Sequence, residues 1–301
     1  MFNPKIVCTY LYSITKYGYP PDAKKTIQFI NEMKSLGFKS IELEGIRDEH
    51  LSTVYDMKEE IAGHLKENDI NLAMFCAVLP GCSSLDEKER NKSYELFEKG
   101  CEIAVNLGSK AILDNGPLPP YVFPDDIPVV RHYEDDSISS AYFPHDLQWE
   151  RFWDIIVNSY QTLCEIAAHY NLTYNIHPAL GLLASTTDSF LYLFDKVKKD
   201  NLRFNLDTAN QFVMKDNIAL SLIRLKDHVN YIHISDNNGT KVEHLDIGKG
   251  KINWNVFFET LDRINFNGHI GIDVGGAESA IDDMDKAYLG AAKILENKWL
   301  A

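Results

Sequence analysis

Four side chains at the ends of apolar runs stand out for the chemistry they could do together. Phe204-Asn205-Leu206-Asp207 ends in a carboxylate, Tyr231-Ile232-His233-Ile234-Ser235-Asp236 carries an imidazole and a carboxylate, and Ile270-Gly271-Ile272-Asp273 ends in a further carboxylate. Asn175-Ile176-His177 places an amide and an imidazole two residues apart, on one face of a strand. An ionised carboxylate buried without a partner loses several kcal/mol of hydration, and a shared cation relieves that loss. Mixed oxygen and nitrogen donors on neighbouring strands suit Mn, Mg, Co or Zn as divalent ions and do not choose among them. The expected ligand set is Asp207, His233, Asp273 and His177. Taken singly, a strand-end Asp is often the cap of the next helix, and a lone His is often a satisfied core group. The succession of the three strands, with His177 on the strand before them, gives the metal reading its weight.

Such a cluster needs strands that deliver their ends to one place. Short apolar or β-branched runs at 5–9, 40–44, 72–78, 111–114, 173–177, 203–207, 231–235 and 269–274 alternate with longer amphipathic stretches. That is the pattern of repeated βα units around a parallel sheet. Residues 23–36 carry an apolar stripe of Ile27, Ile30 and Met33 and stop at Gly37, while Leu107-Gly108 and Asn267-Gly268 mark later helix exits. Eight units without a linker predict one α/β domain over 1–301, a single (β/α)8 TIM barrel with active-site residues at the C-terminal strand ends. A doubly wound open sheet is the alternative, but no Gly-rich nucleotide fingerprint follows the first run. One connection, 115–146 after strand 4, is oversized, and long insertions in compact domains are usually lids or interface elements.

Composition narrows the partners. A formal charge of −14 disfavours a phosphate backbone, so no nucleic acid is expected. Five scattered cysteines form no zinc-knuckle or redox spacing and read as reduced thiols. No apolar run approaches a membrane span, and the first residues lead straight into a strand, so a cytoplasmic, unprocessed chain is expected. No Walker-type phosphate loop is present, and the glycines of Gly248-Lys249-Gly250 read as turn formers before they read as an anion cradle.

Three stretches, Leu206-Asp207-Thr208-Ala209-Asn210, His233-Ile234-Ser235-Asp236-Asn237-Asn238-Gly239, and His244-Leu245-Asp246-Ile247-Gly248-Lys249-Gly250 with Ile252-Asn253-Trp254, occur in an order that resembles the xylose-isomerase-like barrel superfamily. That superfamily holds sugar isomerases, ketose epimerases, inosose dehydratases and AP endonucleases, and the resemblance spans nearly the whole chain. It implies metal held by Glu, Asp, His and Glu from the last four strands, matched here to Asn175, Asp207, His233 and Asp273. Asn175 cannot transfer a proton as a glutamate does, and His177 beside it could instead ligate the metal or act as base. Asp273 keeps charge and ligand type with one methylene fewer. The AP endonuclease branch has a histidine where Asn210 stands and an aspartate where Val242 stands, so DNA repair is not expected.

The resemblance also makes Glu42, Asn175, Asn210 and His244 candidates for sugar contact, with a structural salt bridge as the other reading of Glu42 and loop anchoring as that of Asn210 and His244. In the long loop, Tyr121, Phe123, Tyr133, Tyr142 and Phe143 could stack on a sugar or aglycone or pack a neighbouring subunit, and His145 reads either as a lid acid-base or as part of the next helix start capped by Asp146. Three functions are carried forward. The first is a metal-dependent sugar isomerase or epimerase working by proton abstraction beside a carbonyl, with His177, Asp273 and His145 as catalytic candidates. The second is a lyase cleaving a 3-oxo-glycoside, similar to catalytic subunits of C-glycoside deglycosidases. The third is a non-catalytic sugar-binding barrel. The expected partner is a small sugar or glycoside, with a homo-oligomer or an accessory subunit left open.

Overall fold

A computed structural model describes residues 1–124 and 131–300. Its eight strands are β1 Ile6–Cys8, β2 Ser40–Ile46, β3 Asn71–Val78, β4 Ala111–Asn115, β5 Thr173–His177, β6 Leu202–Asp207, β7 Tyr231–Ile234 and β8 His269–Ile272. All neighbours pair in parallel, and β8 returns to β1, so the sheet closes into a barrel in chain order. Closure leaves no sheet edge, and with helices outside and side chains inside both faces of most strands are buried.

Each of the eight expected strands is present, with ends shifted by up to two residues. Strand β2 runs on to Ile46, and β8 stops at Ile272, although the Asp273 N–H still donates to the Ile234 carbonyl of β7. The expected helix at 23–36 is a short 3-10 turn Ala23–Lys25 followed by an α-helix Thr26–Ser35. Gly37 and Gly108 take the left-handed φ of helix exits, at 94° and 85°. Gly268 differs: Asn265 makes the left-handed exit there, and Gly268 leaves room for the Asn230 carbonyl.

Two apolar layers result from the period-2 alternation of the strands. Outward residues such as Ile6, Phe75, Ile112, Ile232 and Ile270 pack under the helices in one large core. A smaller cluster of Val7, Met74, Cys76, Ala111, Leu113 and Tyr231 fills the barrel interior. The long insertion carries a short helix, Asp135–Ser140, and an antiparallel bridge between Val122 and Tyr142. Its aromatic residues mostly pack on each other, Tyr121 against Phe123, Tyr133 and Phe143 at centroid distances of 5.7 to 6.2 Å. No helix among the described residues is long and apolar enough to cross a membrane.

Gly271 shows how little spare room the interior has. It pairs in register with His233, and a Cβ built on it would lie 2.7 Å from Thr9 Cγ2, 2.9 Å from the Tyr231 hydroxyl and 3.0 Å from His233 Cδ2. Gly271→Ala is therefore expected to lower stability by about 1–3 kcal/mol in urea unfolding, as overpacking does. A change within about 0.5 kcal/mol, the range of an unconstrained surface site, would contradict this packing.

Candidate functional site

Strand β6 delivers Asp207 to the barrel mouth as the cap of the helix Thr208–Val213, its Oδ1 accepting the Asn210 N–H at 2.7 Å. The helix-cap reading is thus correct for one oxygen. The other, Oδ2, is buried without a hydrogen-bond partner among the described residues. Around it stand His177 Nε2, His233 Nδ1 and His244 Nε2, each 4.0 Å away. Asp273 Oδ2 lies 4.0 Å from His233 Nδ1 and 3.8 Å from His244 Nε2. These separations are too long for hydrogen bonds. The donors fall into two trios that share Asp207, His177-Asp207-His233 and Asp207-His244-Asp273, each with ligand atoms within 4.8 Å of one another, as residues able to hold an ion are.

The imidazoles are oriented from behind. His233 Nε2 donates to Glu42 Oε2 at 2.8 Å, and the Tyr231 hydroxyl donates to the same oxygen at 2.9 Å, which turns His233 Nδ1 toward the two aspartates. His244 sits on the excursion after β7, fixed by its bridge to Gly275, by its N–H to Ser279 Oγ at 2.7 Å and by Nδ1 facing Glu278 Oε1 at 3.3 Å. Asp236 bends that excursion back: it accepts from the Gly248 and Ile252 amides and from Trp254 Nε1. The Gly248 amide is engaged there, so the glycine loop serves the turn. His177 Nδ1 lies 2.9 Å from the Asn205 amide group and Nε2 3.3 Å from that of Asn210. The Asn205 amide nitrogen also lies 3.1 Å from His233 Nδ1, so one amide bridges the two imidazoles, and its Oδ1 has no partner among the described residues.

Charge follows the same geometry. Burial would push the His233 pKa down, but Glu42 and then Asp273 push it up to about 9. Burial, and then His233, hold His177 well below the usual histidine range, so it is neutral. Burial raises Asp207, while Asp273 is held below the carboxylate range because His233, Arg131 and His244 outweigh its burial. Arg131, from the long insertion, lies 3.3 Å from Asp273 Oδ2 and 3.1 Å from Glu278 Oε1.

His177, His233, His244 and Asp273 of the cluster line an open cavity together with Glu44, Asn210, Arg131 and His132. A second cavity shares Tyr19, Arg131 and His132 with it and is lined further by Tyr133, Tyr160, Leu118 and Leu182. Asp114 stands in the second, its carboxyl pushed up to about 8 by burial although two backbone amides donate to it.

A family model described as a xylose isomerase-like TIM barrel matches residues 30–296. The chain belongs to that family. It is similar to an uncharacterized protein of Methanocaldococcus jannaschii, 26% identical over 249 residues that make up 81% of this chain and 80% of that protein. Among solved structures, a 3-keto-D-glucoside 4-epimerase from E. coli superposes with a TM-score of 0.74 at 16% identity, covering 98% of this chain and 100% of that one. An L-ribulose 3-epimerase gives 0.74 at 14% identity, covering 98% and 94%. At these identities the structural likeness is one of fold.

Within this xylose isomerase-like barrel, Asp207, His233, Asp273 and His177 come together as the sequence suggests. Asn210 and His244 line the cavity beside them. Three expectations are corrected. Asn175 does not stand at the mouth: it is wholly buried one inward position deeper, and His177 is the β5 residue that reaches the site. Glu42 likewise does not face substrate; it is 1% exposed beneath His233, and Glu44 is the β2 residue in the cavity wall. His145 is exposed on the insertion and lines neither cavity, because the turn at Pro144–Leu147 keeps it outside. Sequence reasoning missed Glu44, Arg131, His132 and Glu278, and it read His244 as a sugar contact or a loop anchor and not as a possible ligand. The repeat Glu42-Leu43-Glu44 was a usable signal for Glu44; the others depend on loop paths that no periodicity reports.

Asp207→Asn tests the cluster, since asparagine still caps the helix. The variant is expected to bind Co²⁺ more than about 100-fold more weakly in a spectroscopic titration, as loss of even a supporting residue weakens metal sites 10–100-fold. Its metal-free form is expected to be at least as stable as wild type, because the unpartnered carboxylate is gone. Undiminished Co²⁺ affinity would remove Asp207 from the ligand set.

Proposed function

We propose that the protein is a metal-dependent sugar isomerase or epimerase-type enzyme that abstracts a proton next to the carbonyl of a sugar or oxidised sugar. The observation that carries this reading is Asp207 Oδ2, buried without a partner and ringed by three imidazole nitrogens on the wall of a cavity. The donors fit a divalent ion, which Asp207, His233, His244 and Asp273 would hold, with His177 beside them. Such an ion supplies stabilisation of the oxygen on which charge develops during enolisation.

The chain's own residues supply the rest. His177, neutral and with Nε2 turned to the cavity side of Asn210, takes the proton from carbon. Asn210 and His132 border the space in which the sugar hydroxyls lie. Arg131, bridged to Asp273 and Glu278, ties the insertion to the site and closes it from water. Membership of the xylose isomerase-like family and the fold shared with sugar epimerases support this class of reaction.

A second reading, a lyase acting on a 3-oxo-glycoside, is favoured by one observation: the adjoining cavity, with Tyr133, Leu118 and Leu182 in its wall, offers an apolar seat for an aglycone. The non-catalytic reading rests on Asn175 in the place of a glutamate; His177, two residues on, lines the cavity and supports catalysis.

The test is the metal content of the purified protein, followed by exchange of substrate C–H protons in D2O over a panel of ketoses and 3-oxo-glucosides. Exchange is expected, lost on chelation and restored by a divalent ion. Formation of a stereoisomer selects the epimerase and release of an aglycone selects the lyase; neither metal nor exchange would sink both. His177→Ala is expected to slow exchange by about 10²–10⁴-fold, the usual worth of a general base, while Co²⁺ still binds. Full exchange in that variant would remove His177 as the base.

A further inference from the structure

Glu44 is the one carboxylate in the cavity wall that the proposed reaction has not used. Strand β2 places Glu42 and Glu44 two residues apart on the same inward face, and their oxygens and Cys76 Sγ lie within 4.8 Å of one another. Their surroundings separate them. Glu42 collects His233 Nε2–H, the Tyr231 hydroxyl and, at 3.4 Å, the Tyr10 N–H. Glu44 has no hydrogen bond or ion pair among the described residues and opens on the cavity shared with His177, His233 and Asp273. Burial first, and then Glu42, raise its pKa to about 8, with Arg131 opposing. Two carboxyls so close, one rich in donors and the other without any, is the arrangement that leaves a proton on the second. A cation held by this trio is disfavoured, because Glu42 is already occupied and burial keeps the Cys76 thiol protonated.

The barrel order sets its position. Strand β2 lies four strands from β6 in either direction, so Glu44 faces Asp207 across the mouth and stands three strands from His177. We propose that Glu44 is a second proton-transferring residue, an acid that protonates the face of the sugar carbon turned away from His177. This rests on the enolisation reading above. In the first half, His177 takes the proton from carbon, the C–H electron pair forms the C=C bond, and the carbonyl pair moves to oxygen as an enediolate. In the second, the oxygen pair re-forms the carbonyl as the carbon takes the proton of the Glu44 carboxyl on the opposite face. The stereocentre is inverted, His177 holds the first proton, Glu44 is a carboxylate, and solvent resets both.

The test separates the two halves. Wild type and Glu44→Gln are compared for exchange of the C–H proton in D2O and for new stereoisomer, using free 2-ketohexoses and a methyl 3-oxo-glucoside. Thermal midpoint and the Co²⁺ spectrum report the integrity of each variant. Expected is a fall of about 10²-fold or more in stereoisomer formation with a far smaller fall in exchange, and partial recovery in Glu44→Asp. Stereoisomer formation at the wild-type rate in Glu44→Gln overturns the proposal. So does a proportional loss of both signals, or loss of the Co²⁺ spectrum, which would make Glu44 a support of the fold or lid. Wild type that exchanges without inverting the carbon also overturns it, while leaving enolisation standing. Wild type that does not exchange at all overturns enolisation itself.

Discussion

Inside the barrel, His233 Nε2 donates to Glu42 Oε2, and both side chains are almost wholly buried. The rest of the site depends on that bond. It spends one imidazole nitrogen on the interior, so the other must face the mouth, where Asp207 and Asp273 converge. It also supplies Glu42 with a charged partner where solvent cannot. Tyr231 strengthens it from the same strand, and Gly271 across the ladder leaves room for Thr9, the Tyr231 hydroxyl and the ring of His233. A carboxylate in the barrel floor, an imidazole above it and acids at the rim thus form one chain of dependencies.

The rim is acidic, buried and only partly compensated by the chain itself. Asp207 spends one oxygen on the next helix and keeps the other without a partner. Asp273 has Thr9 at 3.0 Å and Arg131 at 3.3 Å. An interior group left in that condition is a cost to folding, and such costs concentrate where function requires them. Arg131 is instructive because it comes from the long insertion and not from the barrel. Its ion pairs with Asp273 and Glu278 join the insertion, the β8 strand end and, through Glu278, His244. The insertion is therefore coupled electrostatically, through Arg131, to the very residues that would hold an ion.

Two errors in reading the sequence have the same origin. Asn175 and His177 share a face of β5, as Glu42 and Glu44 share a face of β2, and in each pair the earlier residue was assigned to the substrate. Alternation with a period of two tells which face a residue occupies and nothing about its depth. Depth follows from the stagger of strands in the closed barrel: His177 pairs with Asn115 at the last rung of β4 and β5, whereas Asn175 sits opposite Leu113 in the packed interior. The upper residue of each pair meets the cavity; the lower one becomes part of the floor.

The sequence by itself determined the eight βα units, the closed barrel they form, and the convergence of Asp207, His233 and Asp273, because hydrophobic period and strand-end polarity are local properties of the chain. Tertiary structure alone decided which layer each inward residue occupies, that His244 and Glu278 enter from loops beyond β7 and β8, and that Arg131 returns from the insertion to meet Asp273. Those outcomes rest on strand stagger and on long-range ion pairing in a low-dielectric interior, and neither leaves a periodic trace in the order of residues.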